Sequence, residues 1–558
     1  MNHKLWARTK FLWVFSILAS AGSLAASPSV QEAIPASIAA VSAPDFDEVP
    51  SGSRIAVSIA TEKGQRHVNH GIEHLNAGWD FEAGRHFAAA MLEDPECLMA
   101  HWGMLFALLD AGPESATARN AALERMMSLI EQGAGTELER GYAYGLIKLI
   151  EEGSQAGAVA FQKVAARFPN ESQAAVMSAL LGRGGFDAYG KANPAQEKSE
   201  AILQSLMQRN PRSPSPLVAY LMIRAEGAVT ADLLKSARKL AAQWPTYPPY
   251  QHTLGHYEWR YGNAALAAEA FGRAESLYRA WMDQHQVSLA DCPEWIKARC
   301  YRCFALEAAG DHEAALGLAL ELLATQADPT RAGSRGNRYL WWEAKTVGAR
   351  LLLSRADADF ADADGLMPEI EELAQVARVS TAPRYLAGLR LLVDARVQIR
   401  AGNLNAAWEN MNALNEQIAL MVQERPQAVA AGEISSWLRA HQGLEMLSYE
   451  LRGDLAVLGV GSIRSAAFNW FSAASERQSP SSLLMPPVVL HSMAKKLGDW
   501  HIEAGMTEDA IDAYQRGAIF APHDIKLLEW LHQALIDAGR AVEAEPVSAK
   551  IRTLNGGK

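Results

Sequence analysis

Residues 68–95 read VNHGIEHLNAGWDFEAGRHFAAAMLEDP. Counted in a 34-residue unit beginning at Gly64, Gly71 falls at position 8, Gly78 at 15, Ala83 at 20, Phe87 at 24, Ala90 at 27 and Pro95 at 32. Small residues at 8 and 20 let two antiparallel helices approach closely. The aromatic at 24 fills the gap between successive pairs. The proline at 32 lacks an N–H and ends the second helix before the next begins.

The frame recurs. A unit from Leu138 puts Gly145 at 8, Phe161 at 24 and Pro169 at 32; one from Pro214 puts Ala237 at 24 and Pro245 at 32. The unit from Pro248 carries Leu254, Gly255, Gly262, Ala267, Phe271 and Ala274 in register. Units from Ile296 and Gly388 keep Gly310 and Ala315, and Gly402 and Ala407. The unit from His491 keeps Leu497, Gly498, Gly505, Ala510, Tyr514 and Pro522, and the one from Ile525 keeps Gly539 and Ala544. The pattern resembles the tetratricopeptide repeat. It predicts an all-α fold: a right-handed superhelical solenoid of antiparallel helix pairs. Out of frame, 171–182, 195–209, 338–378, 433–452 and 463–476 also read as helical.

Length and composition agree. The 558 residues have a formal net charge of −11, with 49% hydrophobic and 21% charged residues, which marks a folded chain. At about 150 residues per domain, this length means several domains or one long array. The acidic balance argues against nucleic acid as a partner, since that requires a basic footprint. Four cysteines exclude a disulfide-dense scaffold.

The first 25 residues read as a signal peptide. Lys4, Arg8 and Lys10 precede an uncharged apolar run over 11–21, and Ser23-Leu24-Ala25 supplies a small-residue cleavage site. Removing them takes the charge from −11 to −14. No later stretch is apolar enough to span a bilayer, so the expected product is soluble and exported, periplasmic or extracellular. Residues 26–60, rich in Ser, Ala and Pro, read as a linker. The expected divisions are 1–25, 26–60, a solenoid over 61–330, an irregular helical region over 331–485, and a C-terminal pair over 486–558. Candidate linkers lie at 326–337, 377–384, 424–432 and 478–488.

Four motifs bear on chemistry. His70-Gly-Ile-Glu73-His74 matches H-x-x-E-H, a zinc-peptidase pattern with both histidines on one helix face. His67, His70 and His74 occupy repeat positions 4, 7 and 11, which makes them either metal ligands or hydrogen-bonded core residues; His86 and His101 follow nearby. Residues 185–192, GFDAYGKA, approach a phosphate-binding loop but carry Ala192 where Ser or Thr would hold Mg²⁺, and no strand precedes them. Cys300-Tyr-Arg-Cys303, with Cys292 upstream, is a weak metal signal and reads as packed thiols or one disulfide. No cofactor is expected.

The partner-binding candidates lie on the concave side. His252 and His256 take positions 5 and 9 of their repeat, and Trp259 and Arg260 take 12 and 13. In tetratricopeptide proteins these positions face the groove. Two imidazoles, an indole and a guanidinium suit an acidic or aromatic peptide. Tyr142 joins them as a groove candidate.

Residues 71–107, with Ala100-His101-Trp102-Gly103 as an A-x-W-G step, resemble the opening of a group of exported bacterial tetratricopeptide proteins without established activity. That group carries an H-M-P-S-H helix start; Gln251-His252-Thr253-Leu254-Gly255-His256-Tyr257 is similar and lacks the proline. Its H-Y-x-I-H helix corresponds to 219–224 here, where the histidines are absent. The resemblance covers about the first half of the mature chain and implies fold and export. The expected function is a non-enzymatic scaffold of the periplasm or envelope, binding protein or peptide partners in its groove. The alternatives are a metal-binding protein or metal-dependent hydrolase using His67, His70 and His74, and a structural component that self-associates through its ends.

Overall fold

The structure, a computed structural model, describes residues 28–46, 54–355, 360, 363–369 and 381–555. The expected signal peptide lies outside the described residues. Helix pairs stand where the frame places them. The Gly64 unit folds as Glu62–Asn76 and Asp80–Glu93, and the Leu138 unit as Glu137–Glu152 and Ser154–Arg167. Pro214–Arg224 pairs with Ala231–Gln243, Pro248–Tyr261 with Ala264–His285, and Pro293–Ala308 with His312–Ala324. Thr381–Arg400 pairs with Leu404–Ala430, Met493–Glu503 with Thr507–Phe520, and Ile525–Asp537 with Ala541–Leu554. The out-of-frame segments also pair: Gln173–Gly182 with Pro194–Arg209, and Ile434–Val457 with Ala467–Arg477. Among the described residues the β structure is a single bridge, Phe186 to Ala192. The fold is an all-α solenoid of helix pairs.

The repeat has a steric cause. A Cβ on Gly71 would sit 2.6 Å from the Phe87 ring; on Gly145 it would sit 2.8 Å from Phe161, and on Gly255 2.7 Å from Phe271. Gly498 meets Tyr514 in the same way. Glycine at position 8 therefore makes room for the ring sixteen residues later. Gly103 of the following helix closes on the other side of Phe87, so one ring locks two successive pairs. Position 15 ends the first helix: Gly262 takes φ 108° as the left-handed cap of Pro248–Tyr261, a conformation glycine adopts without a Cβ penalty.

The solenoid closes on itself. The 22-residue helix Ala264–His285 is long enough to return to the first repeat, where the Trp281 and Trp79 ring centres lie 4.8 Å apart. Arg335 pairs with Asp80 at 2.7 Å, and Arg331 with Glu114 and Asp291. At the other end, Tyr189 donates to Asp512 and Lys550 to the Tyr261 carbonyl. No described helix is long and apolar enough to cross a membrane.

Three expectations are corrected. The linker over 26–60 is not loose in its described parts. Val30, Ala33, Ile38 and Ile55 are buried among first-repeat residues, and Ser58 donates through both N and Oγ to Glu139. Its apolar residues pack against the apolar side of the first repeat. The linker read at 424–432 is largely the end of the helix Leu404–Ala430, with Pro426 inside it. Ala428 is buried there and Arg425 lies over Trp437, so packing overrides the proline signal. The division near residue 331 is crossed by one hydrophobic core, which runs from Ala77 to Leu351.

Candidate functional site

The groove candidates are not open to a partner. Tyr142 and His256 are 0% exposed, Arg260 4%, Trp259 6% and His252 7%. Each is engaged by the chain itself. As freely accessible partner contacts these five residues are therefore corrected. Tyr142 Oη donates to Glu171 at 2.7 Å. His256 Nε2 donates to the Ala225 carbonyl at 3.1 Å. Arg260 donates to the carbonyls of Ile519 (2.6 Å), Phe520 (3.1 Å) and Gly227 (3.0 Å), and Trp259 stacks on His523. Residues 519–523, at the end of Thr507–Phe520, land on Trp259 and Arg260, which a linear reading of one repeat does not show.

His252 has a different neighbour. Its Nε2 donates at 2.9 Å to the carbonyl of Leu483, in the segment 481–490, SSLLMPPVVL. This segment has no helix of its own and packs across several helices of the solenoid, which form a wall behind it. Tyr301 Oη lies 2.5 Å from the Ser482 carbonyl and 2.7 Å from that of Met485. Arg439 donates to the Pro486 carbonyl at 2.5 Å. Arg350 donates to Pro487 through Nη2 and, at 2.9 Å, to Val488 through Nε. The Met485 sulfur accepts from Tyr339 Oη, and Leu484 fills the space above Gly78 of the first repeat. Four side chains from separate helices thus hold six main-chain carbonyls.

The wall is organised around Glu343. A π-helical turn over Leu340–Ala344 puts this carboxylate in the interior, where Arg439 meets both oxygens at 2.7 Å. The Glu343 carbonyl accepts from Arg350 at 3.0 Å. Both guanidiniums are fixed before they reach the segment, and a fixed fork loses little entropy per bond formed. Burial holds the His252 imidazole down at about 4 and that of His256 at about 3, so both are neutral donors at pH 7. Burial likewise draws Arg260 down to about 10. The sequence named His252 here but missed Tyr301, Arg350, Arg439 and Glu343. A buried-pattern Arg or Glu inside an apolar helix face was the available signal.

The histidine cluster of the first repeat is real but is not the expected trio. His74, Glu82 and His86 bring one donor atom each to within 4.8 Å of one another, all buried. His67 instead hydrogen-bonds His86, Nδ1 to Nδ1 at 3.0 Å, and His70 packs beside His86 with 5.3 Å between ring centres. Glu73, the base of the H-x-x-E-H reading, is turned away and accepts from Ser215 Oγ at 3.0 Å. The sequence signal missed was Glu82-x-x-x-His86, one helix turn on the facing helix. The four cysteines are free and buried, with Cys303 pushed up to about 12 by burial; they are inert thiols. The glycine loop near 185–192 is a tight hairpin between helices, closed by Asp187 N to Lys191 O at 2.9 Å.

No family model matches the chain, and no curated protein matches it. Solved structures that align over most of its length include the human IFIT1 dimer with PPP-AAAA, at 12% identity over 89% of this chain and 92% of that one, TM-score 0.32. Yeast Tom70 aligns at 9% identity over 88% and 92%, TM-score 0.28. The P58(IPK) TPR domain aligns at 14% identity over 86% and 99%, TM-score 0.19.

Proposed function

We propose that this chain is a non-enzymatic interaction scaffold of the exported compartment. Its concave wall takes hold of extended peptide, and residues 481–490 are its resident occupant. A partner with an extended apolar segment displaces them. The observation that carries this reading is the carbonyl grip: His252, Tyr301, Arg350 and Arg439 address main-chain oxygens rather than side chains. Such a grip accepts many sequences, and the preorganised guanidiniums lower the ordering cost of binding. The pattern over residues 1–25 supports export.

The test flanks 481–490 with protease sites, cuts both in the folded variant, dialyses the excised segment away and titrates a fluorescent SSLLMPPVVL peptide. A helical content equal to wild type checks that the variant folds. Saturable binding to the variant, with none to wild type at the same concentration, supports the reading. A folded variant that ignores the peptide overturns it.

A further inference from the structure

The first helix pair carries a feature that the scaffold reading does not use. His74 comes from Glu62–Asn76; Glu82 and His86 come from Asp80–Glu93. The turn at Gly78 folds the second helix back, so the three donors meet inside the pair. His74 Nδ1 bonds Tyr247 Oη at 2.9 Å, and His86 Nδ1 bonds His67 Nδ1 at 3.0 Å. Each imidazole is thereby steered to leave Nε2 as its free nitrogen. Both Nε2 atoms are buried without a hydrogen-bond partner, and so is Nδ1 of His70. Buried polar atoms are nearly always satisfied; what sets His74 and His86 apart is that each brings a donor atom to within 4.8 Å of the other and of the buried Glu82 carboxylate. Glu82 is oriented by Arg85, Nη1 to Oε2 at 2.5 Å, as outer-shell donors commonly orient a carboxylate ligand.

We infer that His74 Nε2, His86 Nε2 and the Glu82 carboxylate form a binding site for one first-row divalent cation of the Zn²⁺ class. Two imidazoles and a carboxylate are a recognised donor set for such ions. Bonds of about 2.0–2.1 Å put tetrahedral ligand atoms about 3.3 Å apart, so binding draws the three donors inward by small side-chain rotations. Three protein ligands leave a fourth position for water or a ligand. Tyr247 and His67 are positioning residues that set the tautomers. This ligand set differs from His67, His70 and His74 taken together.

The test uses the full mature chain, stripped with a chelator and dialysed. Co²⁺ is titrated while its visible d–d absorption is recorded, and Zn²⁺ is then added in competition. One equivalent of Co²⁺ is expected, with a tetrahedral-type spectrum, displacement by Zn²⁺, and a higher unfolding midpoint with Zn²⁺. Glu82→Gln and His86→Gln are each expected to weaken binding at least 100-fold, while His101→Gln, at a buried histidine outside the site, leaves it unchanged. Less than a tenth of an equivalent bound by wild type overturns the site, and that result stands even if the variants do not fold. Binding that survives both substitutions in folded protein also overturns it.

Discussion

The hydroxyl of Tyr301 lies 2.5 Å from the main-chain carbonyl of Ser482, across 181 residues of sequence. Its single proton also serves Met485, at 2.7 Å. The ring stacks on Phe271 at 5.0 Å and so belongs to the solenoid, while its oxygen belongs to the segment. Tyr301→Phe keeps the stack and removes the donor. It is expected to cost about 1–3 kcal/mol, the price of stranding buried carbonyls. Urea unfolding with an unchanged m-value reads this as a lower midpoint.

Arg439, partly buried, pairs with Glu343, whose carboxylate is 1% exposed. Arg439→Met alone leaves that charge uncompensated and is expected to cost about 3–5 kcal/mol. Adding Glu343→Gln removes the stranded charge and is expected to recover a substantial part. A double-mutant cycle in urea measures the coupling. Additive losses would contradict the geometry.

Position-8 glycines should tolerate no side chain. Gly255→Ala places a methyl 2.7 Å from the Phe271 ring, and overpacking of this kind costs about 1–3 kcal/mol. Gly317, inside His312–Ala324, has nothing within 4 Å of its would-be Cβ. Gly317→Ala is expected to stabilise by about 0.5–1 kcal/mol through helix propensity. Calorimetric midpoints of the two variants should move in opposite directions.

The periodic part of the fold was legible because it is local: a glycine, a ring sixteen residues on, and a turn glycine between them. Helix pairs at Gly64, Leu138, Pro248 and His491 follow from that spacing alone. What closes the solenoid was not legible. The extra turns of Ala264–His285 and the landing of 519–523 on Arg260 depend on small rotations summed over many repeats. The linker reading at 478–488 identified a segment without helix but gave no sign that its carbonyls are held. For the same reason repeat position alone makes His252, His256, Trp259 and Arg260 read as open, where the fold buries them. In the first repeat the i, i+4 histidines pointed to a cluster, but only the folded turn shows that Glu82 and His86 complete it.

Buried neutral histidines make the fold sensitive to acid. In the unfolded chain an imidazole takes up its proton near pH 6.5. In the fold, burial lowers His252 to about 4 and His256 to about 3. The unfolded state therefore binds more protons between these values, and stability is lost as pH falls below 6.5. At pH 5 each histidine is expected to cost about 2 kcal/mol relative to pH 7.5. His256→Gln, whose amide can still donate toward the Ala225 carbonyl, should remove its share of the slope. Urea midpoints at the two pH values check both statements.

Thiol accessibility tests the seated segment most directly. The native cysteines are buried, so an introduced one reports alone. Leu483 is 4% exposed, while Ser479, four residues earlier, is exposed. With Leu483→Cys and Ser479→Cys in otherwise native protein, the Ser479→Cys variant should label with Ellman's reagent at the rate of a free thiol. The Leu483→Cys variant should label at least about 100-fold more slowly, until denaturant releases it. Equal rates in folded protein would show that residues 481–490 do not occupy the wall.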